Sequence, residues 1–121
     1  MSKSLKVFPP LAAGIAALVL ATGASAAQMQ PVPAMTEAEF KKGQDVYFDR
    51  CSGCHGALRK GATGPDITPE KMRMKTLEAL EKVLYYGTDG GMPGWGKDGF
   101  MTKAEVELMA RYVQNIPPAP P

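Results

Sequence analysis

The sequence contains few of the residues that build most metal and redox sites. Its 121 residues include two cysteines and one histidine. A single histidine excludes a histidine cluster and a two-histidine metal site. A large charge of one sign is also missing, because the formal net charge is only +2. The basic surface that binds nucleic acid is therefore not expected, and the length allows one domain only.

Long apolar runs are absent except at the start of the chain. Lys3 and Lys6 precede an apolar stretch that begins at Leu11, and A-S-A at 24–26 is a small-residue cleavage site. This pattern is typical of a secretory signal peptide, so we expect residues 1–26 to be cleaved and the protein to be periplasmic. The alternative is an uncleaved membrane anchor, although the run is shorter than the roughly 20 apolar residues of a membrane span.

The remainder of the chain is predicted to form one small domain with short flanks. Residues 27–35 contain two prolines and are expected to be a flexible leader, whereas residues 117–121 form a stiff, proline-rich tail. The domain itself is assigned to residues 36–116. An apolar core of this size is marginally stable by itself, so a staple or a cofactor would help it to fold.

Apolar periodicity predicts an all-α domain with three to four short helices and long loops. Thr36 begins a capping box, and the helix after it is expected to end at about Arg50. Thr102 begins a second capping box, and the helix after it is expected to end at about Gln114. Another helix is expected over about 76–86, and Thr68 and the proline after it are a candidate start for a short helix. No useful alternating pattern predicts a strand. Long glycine-rich loops need a reason in a compact domain, and a buried prosthetic group would supply one.

One motif carries recognisable chemistry. Cys51-Ser52-Gly53-Cys54-His55 is C-x-x-C-H, the signature of c-type haem attachment. Two thiols at this spacing can add to the two vinyl groups of haem, and the adjacent histidine then offers a ring nitrogen to iron. The sequence therefore predicts one covalently attached haem c, held by Cys51, Cys54 and His55.

Three other interpretations of the motif are weaker. A thioredoxin-like redox pair should follow a strand in a βαβ context, but a helix precedes this motif. A structural zinc site usually takes four cysteine or histidine ligands, and the chain offers three. A plain disulfide is the simplest alternative, although so small a loop would stabilise the fold little.

The second axial ligand of the iron cannot be a histidine, so methionine, lysine or an open site remain. Methionine–histidine ligation is typical of electron-transfer cytochromes. Met92 lies in the loop G-G-M-P-G-W-G at 90–96, where glycines allow close approach and Pro93 stiffens the chain. We predict that Met92 is the ligand. The alternatives are that Met92 fills a gap in the loop, or that an open site binds small gases. Met109 is expected to pack in the last helix, and Met72 and Met74 to pack or lie at the surface. Met101 is a candidate staple residue before Thr102, and Met35 is the remaining methionine after Met29.

The order of these features resembles class I cytochrome c over nearly all of residues 27–121. A helix with Gly43 and Tyr47 precedes CSGCH, and Gly64-Pro65, the methionine loop and a last helix follow. The resemblance implies that the first and last helices cross, so that Gly43 and Tyr47 meet Met109 and Tyr112. It also implies that the Pro65 carbonyl accepts a hydrogen bond from His55, which would orient the ring.

A narrower resemblance involves three strings: RCSGCHGALRKGATGP, YYGTDGGMPGWG and LMARYVQNIPPAPP. They are similar to the c-haem domain of the cytochrome cd-type nitrite reductases, where this domain relays electrons to a propeller with a d-type haem. No propeller lies in these residues, so the resemblance implies an electron-transfer protein and not an enzyme. It predicts a one-electron carrier of denitrification, whose partners are a nitrite reductase or a membrane quinol-oxidising complex. The alternative is an excised electron-entry domain of a larger reductase.

Three further side chains are candidates for contact with the haem. Arg59 and Lys60 are expected to flank its exposed edge or meet a propionate, unless they are simply a solvated basic pair. Trp95 is expected to bond a propionate through its indole N–H or to pack on the ring.

Overall fold

The computed structural model describes residues 31–117 and contains five helices. They are α1 (Glu37–Arg50), α2 (Ser52–His55), α3 (Pro69–Met72), α4 (Leu77–Tyr86) and α5 (Lys103–Gln114). The described residues contain no strand, which confirms the all-α prediction. The expected signal peptide, most of the leader and the end of the tail lie outside these residues. None of the five helices has the length and apolar character needed to cross a bilayer.

The helix boundaries agree with the sequence prediction except at α2. This four-residue turn lies where a loop was expected, and four residues are too few to show an apolar period. The two long helices begin at the predicted capping boxes. The Thr36 hydroxyl accepts a bond from the Glu39 amide at 3.2 Å, and the Glu39 carboxylate accepts one from the Thr36 amide at 2.9 Å. Thr102 and Glu105 make the same reciprocal pair at 3.2 and 2.8 Å.

Helices α1 and α5 cross at Gly43, as the resemblance implied. A Cβ atom added at Gly43 would lie 2.8 Å from Cδ2 and 2.9 Å from Cβ of Tyr112. The Tyr112 ring lies between two aromatic rings of α1, with centroids 5.0 Å from Phe40 and 5.6 Å from Tyr47. Met109 is fully buried in the same core, which confirms its expected packing role.

The end of the expected leader contacts α5. Met35 is buried in the core, although residues 27–35 were expected to be flexible. Arg111 donates to the Ala34 carbonyl at 3.0 Å, and the Asn115 side-chain amide donates to the Pro33 carbonyl at 3.2 Å. These two polar side chains give the chain before α1 a fixed path, and Met35 gains an apolar environment there.

A buried glutamine joins α5 to the segment between α3 and α4. Gln114 is 1% exposed, and its side-chain amide donates to the carbonyls of Met72 at 3.0 Å and Lys75 at 2.7 Å. The Nε–H of Arg73 donates a hydrogen bond to the Gln114 carbonyl at 2.9 Å. Burial of an amide is tolerated when its donors are satisfied in this way.

We predict that Gly43→Ala destabilises the haem-loaded protein by about 1–3 kcal/mol, because the new methyl group overpacks the crossing. The atoms that it meets include Cβ of Tyr112, which cannot move without moving the backbone of α5. Chemical denaturation measures the effect. Gly53→Ala is the control, since no atom lies within 4 Å of the added methyl group. Equal stability of the two variants would contradict the close-packed crossing.

A second prediction concerns the ion pair between α1 and α5. Arg111 Nη1 lies 3.0 Å from Glu39 Oε1, and this contact, with the Thr36 amide, lowers the pKa of Glu39 from 4.5 to about 2. A lowered carboxyl pKa stabilises the fold above the unfolded-state pKa, and the contribution disappears as pH falls towards the folded-state value. Glu39→Gln should therefore lose less stability than the wild type between about pH 5 and pH 2, as measured by thermal unfolding. Glu37→Gln, in the same exposed turn, should behave like the wild type; a Glu39→Gln profile parallel to that of the wild type would contradict the pairing.

Candidate haem site

The C-x-x-C-H motif forms a single helical turn directly after α1. Cys51 is both the C-cap of α1 and the N-cap of α2. Its carbonyl accepts hydrogen bonds from the amides of Cys54 at 3.1 Å and His55 at 2.9 Å. Cys51 and His55 are buried, whereas Cys54 is exposed. All three residues line one cavity of about 850 Å³, which is within the usual size range of cofactor sites.

The His55 ring is oriented by a backbone carbonyl. Its Nδ1 lies 2.8 Å from the Pro65 oxygen. A carbonyl can only accept, so Nδ1 carries the hydrogen and Nε2 keeps its lone pair. Gly64 makes this contact possible, because a Cβ atom there would lie 3.0 Å from Cε1 and 3.1 Å from Nδ1 of His55. The ring is therefore held in the tautomer that can ligate iron through Nε2.

The segment 56–67 is tied to the motif at several points. The Tyr47 hydroxyl donates to the Gly56 carbonyl at 2.6 Å, and burial raises the pKa of Tyr47 to about 12, so the hydroxyl stays protonated. The amides of Gly61 and Gly64 donate to the carbonyls of His55 and Cys54 at 2.8 and 2.7 Å. These bonds place Pro65 beside the His55 ring.

A second segment brings Met92 to the same cavity. The Thr88 amide donates to the Met92 carbonyl and the Gly91 amide donates to the Thr88 carbonyl, each at 3.1 Å. This turn packs against Gly87, where any Cβ atom would collide with the Met92 carbonyl. Met92 and Trp95 are half-buried and line the cavity, as does Pro65. The structure thus brings together all six residues that the sequence predicted for the site.

Met72 is a second methionine at the cavity, which the sequence did not indicate. It is buried in the core, and its carbonyl is bonded to Gln114. Met92 differs because a glycine-rich turn carries it and leaves it partly exposed. Met74 is 54% exposed, which agrees with its expected surface position, and Met101 is buried in the core directly before α5.

The rim of the cavity is mainly basic. Arg50, Lys71 and Lys75 line it together with one carboxylate, Asp66. Lys71 lies 2.9 Å from Asp66 and, with the Thr68 amide, lowers the pKa of Asp66 to about 2. The net positive charge suits a cofactor that carries carboxylate groups.

Arg59 bonds the end of α5, and the structure shows no part of it at the cavity. Arg59 is absent from the cavity lining; its Nη1 donates to the carbonyls of Tyr112 and Asn115, both at 3.0 Å. Carbonyls at the end of a helix lack partners within the helix, so they attract such a donor. Lys60 is exposed beside it and is likewise absent from the cavity lining.

The cysteine chemistry fits haem attachment better than the alternatives. Burial raises the pKa of the Cys51 thiol to about 11, whereas a redox-active thiol needs a lowered pKa. Among residues 31–117, no group of three or more histidine, cysteine, aspartate or glutamate side chains is placed to hold a metal ion. Two cysteines, a free imidazole nitrogen and a thioether line a mainly apolar cavity, and this set of groups fits a covalently attached haem.

Sequence reasoning missed two residues that shape the site. Gly64 was noted only as part of a resemblance, although its missing side chain lets the loop lie on the His55 ring. Gln114 anchors the Met72 segment. It lies four residues after Ala110 on the apolar face of α5, and a polar side chain at such a position was an available signal.

Comparison with known proteins identifies the family. Residues 38–113 match the family described as cytochrome c oxidase, cbb3-type, subunit III. The chain is 40% identical to a nitrite reductase of Stutzerimonas stutzeri, over 93% of this chain and 22% of that protein. It is 33% identical to the cbb3-type cytochrome c oxidase subunit FixP of a Bradyrhizobium strain, over 77% of this chain and 36% of that protein.

The chain thus spans about a fifth to a third of the length of these curated relatives. A solved structure of a c-type cytochrome, NirC, has the same fold, with a TM-score of 0.55 and 23% identity. The likeness covers 66% of this chain and 93% of that one. The chain therefore belongs to the cytochrome c domain family described as cytochrome c oxidase, cbb3-type, subunit III, and it is an electron-transfer domain with one covalently attached haem c.

Proposed function

We propose that this domain is a periplasmic one-electron carrier of denitrification, which passes electrons to or within a nitrite reductase. The observation that carries the proposal is the joint lining of one cavity by the C-x-x-C-H turn and the Met92 loop. Such a cavity offers a nitrogen ligand and a sulfur ligand for iron.

In this proposal His55 and Met92 would hold the haem iron, and Cys51 and Cys54 would attach the haem covalently. When bound, haem supplies an iron that accepts and releases one electron. His55 presents Nε2 because its Nδ1–H donates to Pro65, and this bond makes the imidazole a better donor. The turn at 88–92 brings Met92 to the cavity, where its thioether sulfur would favour the reduced state of a bound haem and raise its reduction potential.

Apolar side chains line much of the cavity. Leu80 and Leu84 of α4 and Val113 of α5 line it from the core. Trp95 also lines the cavity, and we propose that it packs on the ring. With haem bound, these apolar groups would limit the reorganisation around the iron and disfavour its more highly charged oxidised state. Both effects suit an electron carrier.

The link to denitrification is supported by the similarity to a nitrite reductase, because this similarity extends over nearly the whole of the present chain. Export is supported by the signal-peptide pattern over residues 1–26. A nitrite reductase or a membrane quinol-oxidising complex is the proposed partner. The alternative assignment, an electron-entry domain of a larger reductase, is supported by the small fraction of that relative that the chain spans.

We predict that Met92→Ala lowers the reduction potential of the haem-loaded protein by on the order of 0.1 V, because axial ligands set haem potentials over a wide range. The reduced variant should also bind carbon monoxide. Potentiometric titration and optical spectra measure both effects. Met72→Ala is the matched control: it removes the other cavity methionine at a cost of about 2–5 kcal/mol of stability and should leave ligation unchanged. If the wild type bound carbon monoxide as readily as Met92→Ala, Met92 would not be the ligand.

Two measurements test the proposed function. A haem-stained denaturing gel of periplasm and membranes should show a band on the order of 10 kDa in the periplasm, the size of one small domain. A much larger haem-positive band recognised by an antibody to this chain would favour the electron-entry domain instead.

In the second measurement, the reduced protein should be reoxidised by nitrite only when a haem-cd nitrite reductase is added. Rapid reoxidation by nitrite alone would contradict an electron carrier.

A further inference from the structure

Arg59 connects the loop after the haem-attachment motif to the end of α5. Its Nη1 donates to the carbonyls of Tyr112 and Asn115, each at 3.0 Å. Its guanidinium carbon lies 4.9 Å from the centroid of the Tyr112 ring. These contacts span 53 and 56 residues of sequence, so one side chain ties a glycine-rich loop to the helix that packs most closely on α1.

The backbone of Arg59 joins the two ends of that loop. Its amide donates to the Gly56 carbonyl at 3.0 Å, and its carbonyl accepts from the Ile67 amide at 2.9 Å. The loop between these partners contains Pro65. A displacement of Arg59 would therefore be transmitted to both ends of the segment that orients His55.

Arg59 also adopts a strained backbone conformation. Its φ of 62° is the only positive φ of a non-glycine residue within residues 31–117. A side chain in this region costs energy and persists only where surrounding contacts hold it. The two carbonyls and the Tyr112 ring are such contacts, and glycine would adopt the same backbone conformation more easily.

One aromatic contact and three hydrogen bonds hold the loop that lies between Arg59 and the ring of His55. Tyr112 packs on Tyr47, whose hydroxyl donates to the Gly56 carbonyl at 2.6 Å. Gly56 in turn accepts from the Arg59 amide. The loop closed in this way places the Pro65 oxygen 2.8 Å from Nδ1 of His55. Arg59 itself is absent from the cavity lining.

We infer that Arg59 is a positioning residue for His55. It holds the loop 56–67 against the end of α5, so that the Pro65 carbonyl keeps its hydrogen bond to Nδ1 and the imidazole remains a strong donor. Because His55 is the proposed axial ligand, this role rests on the function proposed above. It adds a residue that influences the iron from outside the cavity.

The test compares variants of the haem-loaded full chain. In Arg59→Ala, the Nδ1 proton of His55 should exchange with solvent about tenfold faster or more, because the loop opens more often. NMR of the reduced protein measures this rate. The reduction potential should rise, because a weaker hydrogen bond to Pro65 makes His55 a poorer donor. Arg59→Lys should be intermediate, since an ammonium group donates to carbonyls but does not stack as a planar guanidinium does.

Two further variants separate the possible causes. Lys60→Ala removes the neighbouring exposed charge and should leave the exchange rate and the potential unchanged. Arg59→Gly relieves the positive-φ strain and removes the guanidinium group, so it should resemble Arg59→Ala if the guanidinium contacts are responsible. If Arg59→Ala does not accumulate, the exchange rate and the potential of Arg59→Lys are compared with those of the wild type.

A purely structural role would lower the unfolding midpoint of the Arg59 variants, and could speed the exchange with it, but it would leave the reduction potential unchanged; an unchanged potential would overturn the inference. The inference would also be overturned if Arg59→Gly had the exchange rate and the reduction potential of the wild type. The wild-type spectrum separates this failure from a failure of the proposed function. A spectrum without histidine–methionine ligation overturns the proposed function, whereas a normal spectrum with unchanged Arg59 variants overturns only the role of Arg59.

Discussion

Gly43 of α1 lies against the Tyr112 ring of α5, and much of the site depends on this approach. The missing side chain lets Tyr112 lie between Phe40 and Tyr47. The guanidinium group of Arg59 packs over the Tyr112 ring. One small residue in α1 therefore controls where the loop after the haem-attachment motif is held.

Backbone carbonyls do much of the positioning in this domain. The Pro65 carbonyl orients His55, the Gly56 carbonyl holds the Tyr47 hydroxyl, and the carbonyls at the end of α5 hold Arg59. A small domain with long loops has few regular ladders to satisfy these groups, and each unsatisfied buried carbonyl would cost free energy. The same polar atoms that stabilise the loops therefore also fix the geometry of the proposed iron ligand.

The cofactor explains why so small a chain needs such long loops. The core formed by the five helices surrounds a large, mainly apolar cavity. A covalently attached haem buries apolar area that the side chains alone do not supply. The loops at 56–67 and 88–95 are long because each must carry a residue to the cavity, Pro65 in one case and Met92 in the other.

The sequence by itself determined the attachment motif, the all-α class and both capping boxes, because each depends on residues within a few positions of one another. The c-type resemblance added the Gly43–Tyr112 crossing and the His55–Pro65 bond. The sequence did not reveal α2, which is too short to show a period. Tertiary structure alone decided that Met72 joins Met92 at the cavity, that Gln114 anchors the segment after α3, and that Arg59 bonds the carbonyls at the end of α5. These outcomes depend on contacts between residues about 40 to 56 positions apart, and a local pattern cannot encode which carbonyl a long polar side chain will reach once the helices have packed.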